Sequence, residues 1–333
     1  MRSERQITDW LRSKAIVPPG SRVVLGIGDD CAIYRPKGSA EDLLFTTDLF
    51  LEDIHFRRTT HTAADVGRVA MCRSLSDIAA MGGEPRFALV SLCIPAWASV
   101  DGSGVDGSGV DGSGVDGSGV DGSNDNWVRK FFTSLTATAG KAGAVLAGGD
   151  LSHGPTLACD VMVCGAVPKG KALRRDGARP GHILYVTGRL GGSALGLETG
   201  KGRAWRRHTH PEPRLEVGRY LRETLKASSC MDLSDGISLD LKRLCLASGV
   251  SAEITDPPLF PGATLHHGLH GGEEYELLFT APPRTTVPAT IAGVPISQLG
   301  VIVPGQAAML THCGRPLPSL AYDHFASAET PMK

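Results

Sequence analysis

Residues 23–32, VVLGIGDDCA, decide the fold because they join an apolar run to a turn that carries two adjacent carboxylates. The run and its G-x-G are typical of a dinucleotide-binding turn, but Asp29 and Asp30 interrupt that fingerprint. The turn either holds a phosphate directly or holds metal ions that hold the phosphate. The remaining motifs of the chain bear on this choice.

Length and charge limit the class of protein. The chain has 333 residues, of which 41% are hydrophobic, so it is long enough for about two domains. It has 34 Lys and Arg against 35 Asp and Glu, and this balance disfavours nucleic acid as a partner. The N-terminal residues contain no apolar signal-peptide core, and no window reaches the length of a membrane span. We therefore expect a soluble, cytoplasmic protein that binds neither membrane nor nucleic acid.

The cysteines favour a reducing compartment. Eight are present, at positions 31, 72, 93, 159, 164, 230, 245 and 313, and none forms a C-x-x-C pair. Several lie in apolar runs such as residues 159–164, CDVMVC. We expect reduced cysteines buried in the core, rather than disulfides or metal ligands.

One segment, residues 100–123, is of low complexity and repeats the motif VDGSG. Its aspartates suggest calcium binding, but the spacing matches neither a calcium β-roll nor an EF-hand loop. Glycine and serine make up most of the repeat, which favours a flexible linker. We expect a surface loop inside a domain rather than a domain boundary.

Strand-like and helix-like segments alternate on both sides of this repeat. Strands are predicted over residues 23–27, 43–47, 87–94, 157–167, 183–187 and 275–280. Helices are predicted over residues 63–81, 126–140, 193–198, 213–225 and 237–247. The alternation predicts an α/β (α+β) fold with a boundary in the charged, turn-rich residues 168–181. We place one domain at 1–168, including the loop at 100–123, and a second at 169–333.

Aspartates recur where apolar segments meet turns. They are Asp29, Asp30, Asp48, Asp77, Asp150, Asp232 and Asp235, and several stand beside Gly, Ser or Thr. Carboxylates on rigid ends with hydroxyls alongside are what Mg²⁺ requires when it also holds substrate phosphates. Each aspartate by itself is also typical of a helix cap or a turn. The repetition of this pattern favours a magnesium site.

Other phosphate-handling and catalytic motifs are absent from the sequence. It contains no G-x-x-x-x-G-K-[ST], no H-R-D with D-F-G, no G-x-S-x-G and no H-E-x-x-H. The absence of the first of these motifs excludes a lysine-bearing P-loop.

Residues 188–193, GRLGGS, follow a strand and open a helix, so they form either an anion site at a helix N-terminus or a plain turn.

Six segments, in order along the chain, carry a resemblance to one family. They are GIGDD at 26–30, TTDLFLEDIHF at 46–56, SLSDIAAMGG at 74–83, AGGD at 147–150, MDLSDGISLDL at 231–241 and GGEEYELLFT at 271–280. On these motifs the chain closely resembles the thiamine-monophosphate kinase family, of the superfamily that includes aminoimidazole ribonucleotide synthetase and selenophosphate synthetase. The match covers nearly the whole chain except the repeat.

The resemblance implies a fold and an activity. The fold would be a two-domain synthetase-like fold, with an N-terminal mixed sheet that pairs in a homodimer and a C-terminal α/β domain. The activity would be phosphorylation of thiamine monophosphate to thiamine diphosphate, the last step of thiamine diphosphate biosynthesis. Transfer from ATP would be direct and in-line, assisted by several Mg²⁺ ions, without a covalent protein nucleophile.

The resemblance also implies roles for individual residues. The magnesium ligands would be Asp30, Thr46, Thr47, Asp48, Asp77, Asp150 and Asp232, with Asp235 holding a further ion. The ATP contacts would be Gly149, Asp150, Arg175 and Ser234. The thiamine monophosphate contacts would be His55, Glu273 and Tyr322. The opening turn would then hold metal, and the metal would hold the phosphates.

The sequence departs from the family pattern at three positions. His182 and Glu274 stand where the family usually has aspartates, and Arg73 precedes the S-L-S-D segment where many members have an asparagine one step away. These departures concern substrate details more than the metal site.

Two alternative functions are another ATP-dependent synthetase of the superfamily and a non-catalytic nucleotide-binding scaffold. The scaffold is disfavoured because all six segments keep their carboxylates.

Overall fold

The chain forms two β-sheets with helices packed on them in a computed structural model, which describes residues 4–18, 20–98, 127–305 and 308–321. The VDGSG repeat and Tyr322, for which a loop and a substrate contact were predicted, lie outside the described residues. No helix in these ranges is both long and apolar enough to cross a membrane.

The first sheet is built from the N-terminal half of the chain. Its strands are β1 (Val23–Leu25), β2 (Ala32–Tyr34), β3 (Glu41–Leu51), β4 (Glu84–Ile94), β5 (Val145–His153) and β6 (Ala158–Pro168), in the order β1-β2-β3-β6-β4-β5. All neighbouring pairs are antiparallel except β4 and β5, which are parallel. Strand β5 therefore lies at an edge of this sheet.

Three helices accompany the first sheet: α1 (Glu4–Lys14), α2 (Ala63–Ala80) and α3 (Trp127–Lys141). Helix α2 begins at a capping box, in which the Thr62 hydroxyl accepts from the Asp65 N–H and the Asp65 carboxylate accepts from the Thr62 N–H. Its apolar side chains, among them Met71 and Leu75, are buried against Leu44 of β3 and other core residues. Burial of one such side chain contributes about 1.5–3 kcal/mol to stability.

The second sheet is built from the C-terminal half. Its strands are β7 (Ile183–Thr187), β8 (Ser229–Asp232), β9 (Ser251–Ile254), β10 (Leu277–Ala281), β11 (Thr290–Ile291), β12 (Val294–Val303), β13 (Leu310–His312) and β14 (Arg315–Pro316). The order is β14-β13-β9-β12-β7-β10-β8, and β11 pairs with β12. Strands β9 and β13 run parallel, and the other pairs are antiparallel. Strands β13 and β8 thus lie near opposite ends of the sheet.

Five helices belong to the second half: α4 (Gly192–Thr199), α5 (Gly202–Thr209), α6 (Leu215–Tyr220), α7 (Ile237–Ser248) and α8 (Leu265–His270). A π-helical turn, Leu221–Leu225, extends α6. Helix α7 buries Leu241 and Leu244 in a core that also contains Leu184 and Leu278 of the sheet.

Helix α2 joins the two halves. Ala79 and Ala80 at its C-terminal end share a buried cluster with Val217 of α6 and Phe279 of β10. A side chain at Gly218 could not fit, because a Cβ there would lie 2.0 Å from the Ala79 carbonyl oxygen. This close approach brings the polar residues of α2 next to the end of β8.

The predicted α/β (α+β) class is confirmed, and each predicted strand and helix is present within a few residues of its predicted bounds. The predicted helix 213–225 is in fact α6 followed by the π-helical turn. The prediction of buried cysteines holds for six of the eight, but Cys93 is only half-buried and Cys313 is exposed. Cys313 lies in the turn between β13 and β14, where no core covers it.

Candidate active site

The turn after β1 carries a buried carboxylate pair matched to one arginine. Asp30 is 7% exposed, and its two oxygens accept from Arg175 Nη2 at 2.5 Å and Nε at 3.2 Å. Asp29 accepts from the backbone N–H of Arg175 at 3.2 Å. Burial, followed by the neighbouring Asp30 charge, raises the pKa of Asp29 from 3.8 to about 7. The turn therefore concentrates negative charge and holds one guanidinium against it.

Strand β3 directs its polar residues to two faces. Thr46 is buried, Thr47 is exposed and Asp48 is half-buried, as the alternation of a strand requires. The Thr46 hydroxyl donates to Asp77 of α2. The Thr47 hydroxyl lies on the opposite face and donates to Asp160 of β6 at 2.5 Å. The structure thus brings Thr46, but not the Thr47 side chain, to the carboxylate of α2.

Helix α2 supplies hydroxyls that bind carboxylates from both halves. Ser74 Oγ lies 2.9 Å from Asp48 Oδ2, in the first half. Ser76 Oγ donates to Asp232 Oδ2 at 2.7 Å, at the end of β8 in the second half. Asp77, the next residue of the same helix, accepts from Thr46 of β3, so α2 contacts polar residues of both halves at the site.

Asp30, Asp77 and Asp232, called here the acidic cluster, meet at one point. Each offers one carboxylate oxygen, and these oxygens lie within 4.8 Å of one another. Burial, followed by Asp48 and Asp232, raises the pKa of Asp77 well above 3.8, and burial followed by Asp30 does the same for Asp232. Three buried carboxylates repel one another unless a cation or protons neutralise them. Hard oxygen donors converging in this way fit Mg²⁺.

Three of the aspartates predicted as metal ligands lie outside the acidic cluster. Asp48 lies 3.7 Å from Arg73, and Asp235 pairs with Arg243 of α7. Asp150 is exposed on the edge strand β5, opposite Ser91 of β4. Gly149 beside it allows β5 to approach β4, since a Cβ there would lie 1.8 Å from the Val90 carbonyl oxygen.

The loop before β10 places Glu273 beside the site. Its carboxylate lies 3.3 Å from Arg73 Nη1 and 3.4 Å from His208 Nδ1, and its backbone N–H donates to the Ser234 carbonyl at 2.7 Å. Arg73 also donates to the Tyr275 hydroxyl at 3.0 Å. Arg73 therefore links Asp48 to Glu273, a role that its sequence position alone did not indicate.

Buried ion pairs anchor this loop. Glu276 accepts from Arg207 at 2.9 Å and from Arg214 at 2.6 Å. Glu274 accepts from the Ser193 N–H at 3.0 Å, so the N-terminus of α4, one candidate anion site of the sequence, holds a carboxylate of the chain itself. Burial raises the pKa of Glu274 to about 7. Sequence reasoning missed both arginines because nothing local identifies their partners.

His55 lies after β3, at some distance in the chain from these loops. Its Nδ1 accepts from the Leu51 N–H at 3.0 Å, and its ring stacks on Phe50 with centroids 5.3 Å apart. The hydrogen bond and the stacking together fix the orientation of the His55 ring.

The fold and the site define a class. Residues 28–167 match the family model described as AIR synthase related protein, N-terminal domain. The solved structure described as AaThiL complexed with AMPPCP and TMP superimposes with a TM-score of 0.78 at 26% identity, over 97% of each chain. The protein therefore has the synthetase-like architecture of this group.

Two curated relatives narrow the class. Thiamine-monophosphate kinase of Rhodopirellula baltica is 32% identical over 90% of this chain and 89% of its own length. The Escherichia coli K12 protein of the same name is 33% identical over 92% of this chain and 93% of its own length. The chain belongs to the thiamine-monophosphate kinase family and is an enzyme of the kinase class, so the resemblance inferred from its motifs is confirmed.

Proposed function

We propose that the protein phosphorylates thiamine monophosphate with ATP to give thiamine diphosphate. The observation that carries this proposal is the acidic cluster, whose three carboxylates meet next to Arg175. Family membership supports the same substrates, since a relative was solved with AMPPCP and TMP. A site of this kind suits a reaction between two polyanions, which repel each other unless a cationic centre brings them together.

The magnesium ligands in this proposal are first the acidic cluster and Thr46, whose oxygens converge. Thr47, Asp48, Asp150 and Asp235 complete the set for further ions. Mg²⁺ would neutralise the phosphate oxygens of ATP and of the transferred group. The protein positions these oxygens by rigid elements, since β3, α2 and β8 each contribute a ligand from regular structure.

The transfer is in-line and needs no protein nucleophile or general base. A phosphate monoester has a second pKa near 6, so the phosphate of thiamine monophosphate is mostly dianionic at neutral pH and its oxygen is ready to attack. Arg175 keeps its guanidinium in the site through Asp30 and would hold ATP phosphate oxygens, together with the backbone at Gly149, Asp150 and Ser234. The chain's own residues therefore align the two substrates.

Thiamine monophosphate would lie beside Glu273 and His55. Glu273 supports this placement because its carboxylate can pair with the positively charged thiazolium ring. The side chain is 22% exposed, so a ligand can reach it. His55 would contribute a ring whose orientation is fixed by stacking on Phe50. Tyr322 would stack on the cationic ring.

The N-terminal sheet would pair with a second copy in a homodimer. The edge strand β5 supports this, because nearly all of its residues are exposed and Val145 and Leu151 are 64% and 61% exposed. Pairing of sheets would also bring Asp150 into an enclosed site. We also propose a division into two domains, 1–168 and 169–333, because each sheet lies within one of these ranges.

The proposal is tested by incubating the full chain with thiamine monophosphate, ATP and Mg²⁺ and separating the products by chromatography. We expect equal amounts of thiamine diphosphate and ADP, and none when EDTA replaces Mg²⁺. ADP without thiamine diphosphate would refute the proposed acceptor. Absence of both products in the presence of Mg²⁺ would favour a non-catalytic nucleotide-binding protein.

A further inference from the structure

A second group of metal-ligating side chains lies near the far edge of the second sheet, and the proposed phosphoryl transfer does not use it. Asp256, His312 and Cys313 each offer one ligand atom, and the three atoms lie within 4.8 Å of one another. They belong to the β9–β13 edge, whereas Asp232 ends β8 at the other end of the sheet. The two groups are therefore separate sites.

The sheet itself brings these residues together. Strands β9 and β13 run parallel with His312 opposite Ile254, so Asp256, two residues after Ile254, lies close to the turn that follows β13. The Cys313 N–H donates to the Ile254 carbonyl at 2.9 Å. The Thr255 N–H donates to the Leu299 carbonyl at 2.8 Å on the other side. Strand pairing and backbone hydrogen bonds thus fix His312, Cys313 and the residue next to Asp256.

Both side-chain contacts fall on the same imidazole nitrogen. His312 Nε2 is 2.7 Å from Asp256 Oδ1 and 3.7 Å from Cys313 Sγ. In a catalytic Cys-His-Asp relay the thiol and the carboxylate occupy different ring nitrogens, so that the imidazole can transfer a proton between them. That relay is not possible here. Three donors that converge on one point are instead the arrangement of a metal site.

The distances are close to those of tetrahedral zinc. Usual Zn–N, Zn–O and Zn–S bond lengths place N and S about 3.5 Å apart and N and O about 3.3 Å apart. The observed N–S distance of 3.7 Å already fits. The Asp256 carboxylate must move by roughly half an ångström to meet the N–O distance, and it is free to do so because its side chain is 71% exposed.

The donor types select the ion. Thiolate and imidazole favour Zn²⁺ over Mg²⁺, whereas the acidic cluster offers only oxygen. We propose that Asp256, His312 and Cys313 bind one zinc ion, with solvent in the fourth position. The ion ties the β13–β14 turn to the segment after β9. Binding therefore stabilises the edge of the second sheet.

Cobalt absorption tests the proposal, because Co²⁺ bound to a thiolate gives a charge-transfer band that oxygen ligands do not give. The probe is Co²⁺ added to the untagged full chain, with excess Mg²⁺ present. Variants Cys313→Ser and His312→Ala are compared with Cys93→Ser, a control at a half-buried thiol away from this edge. Equal melting temperatures without added metal establish that the variants fold.

We expect the band in the wild type and in Cys93→Ser, its loss in Cys313→Ser, and at least tenfold weaker binding in His312→Ala. Equilibrium dialysis with Zn²⁺ should give one bound ion that is lost in Cys313→Ser. Kinase activity should be unchanged in Cys313→Ser, which separates this site from the acidic cluster. No band in the wild type, or a band that persists in Cys313→Ser, would overturn the proposal.

Discussion

Ser76 Oγ on α2 donates a 2.7 Å hydrogen bond to Asp232 Oδ2 at the end of β8, and this bond joins the two halves of the molecule at the acidic cluster. Both residues are buried, so the hydroxyl takes the place of water at the carboxylate oxygen. The relative position of Asp77 and Asp232 depends on this contact. A site assembled across two sheets is therefore fixed by a helix that belongs to one of them.

Loss of this hydroxyl should destabilise the protein. Ser76→Ala leaves a buried carboxylate oxygen without its donor, which costs about 1–3 kcal/mol of unfolding free energy. Ser134→Ala is the matched control, because the Ser134 hydroxyl is buried without a partner among the described residues. Chemical denaturation in EDTA measures both. Equal stability of the two variants would show that the Ser76 contact contributes nothing.

Stabilisation by Mg²⁺ should grow with pH. Burial and the neighbouring carboxylates raise the folded-state pKa of Asp77 and Asp232 above 3.8, so the metal-free protein loses stability as pH rises from that value through the raised pKa values. In the proposed site, Mg²⁺ would bind the ionised carboxylates and reverse this loss. The rise in melting temperature on adding Mg²⁺ should grow as the pH is raised from about 4, near the unperturbed pKa of an aspartate, to 8. An increment that stays constant over this whole range would contradict the raised pKa values.

Glu273 should act on the acceptor rather than on ATP. Glu273→Gln keeps the shape of the side chain but removes the negative charge that we propose pairs with the thiazolium ring. We expect the KM for thiamine monophosphate to rise by roughly 10–100-fold, with a smaller effect on the KM for ATP. Glu253→Gln, at an exposed position on β9, is the control. Equal rises for both substrates would place Glu273 in a structural role.

Arg175 should matter for its geometry as well as its charge. Lysine cannot make both contacts that the guanidinium makes with Asp30, so Arg175→Lys should raise the KM for ATP by about tenfold. Arg174→Lys is the control and should leave the KM for ATP unchanged, because the Arg174 side chain is 40% exposed and pairs with Asp176. The initial rate as a function of ATP concentration measures the effect. An unchanged KM would remove Arg175 from the ATP site.

The sequence predicted the ends of elements better than the contacts between them. Asp30, Asp77 and Asp232 were placed at turns and on a helix by local pattern, and motif order supplied their common role. Strand β5 was not predicted, because its exposed, glycine-containing sequence lacks the alternation of a half-buried strand. An edge strand without a covered face carries no local signal of this kind.

Contacts made by long side chains between residues far apart in the chain were also not predictable. Arg73 bridges Asp48 and Glu273, and Glu273 lies 200 residues after Arg73 in the chain. The pairing of Arg207 and Arg214 with Glu276 depends on how α5 and α6 pack beside β10. Such partners are set by tertiary packing, so a single sequence does not specify them.

The fate of a labelled γ-phosphate distinguishes direct transfer to thiamine monophosphate from transfer through the protein or to water. Under single-turnover conditions with labelled ATP, thiamine monophosphate and Mg²⁺, we expect label in thiamine diphosphate and none on acid-quenched protein. Asp77→Asn should transfer it slower by orders of magnitude, because an amide binds Mg²⁺ far more weakly than a carboxylate does. Asp9→Asn, at a side chain 55% exposed on α1, should transfer it at the wild-type rate. Near-normal transfer by a folded Asp77→Asn protein, or label released only as inorganic phosphate, would contradict direct, magnesium-assisted transfer at the acidic cluster.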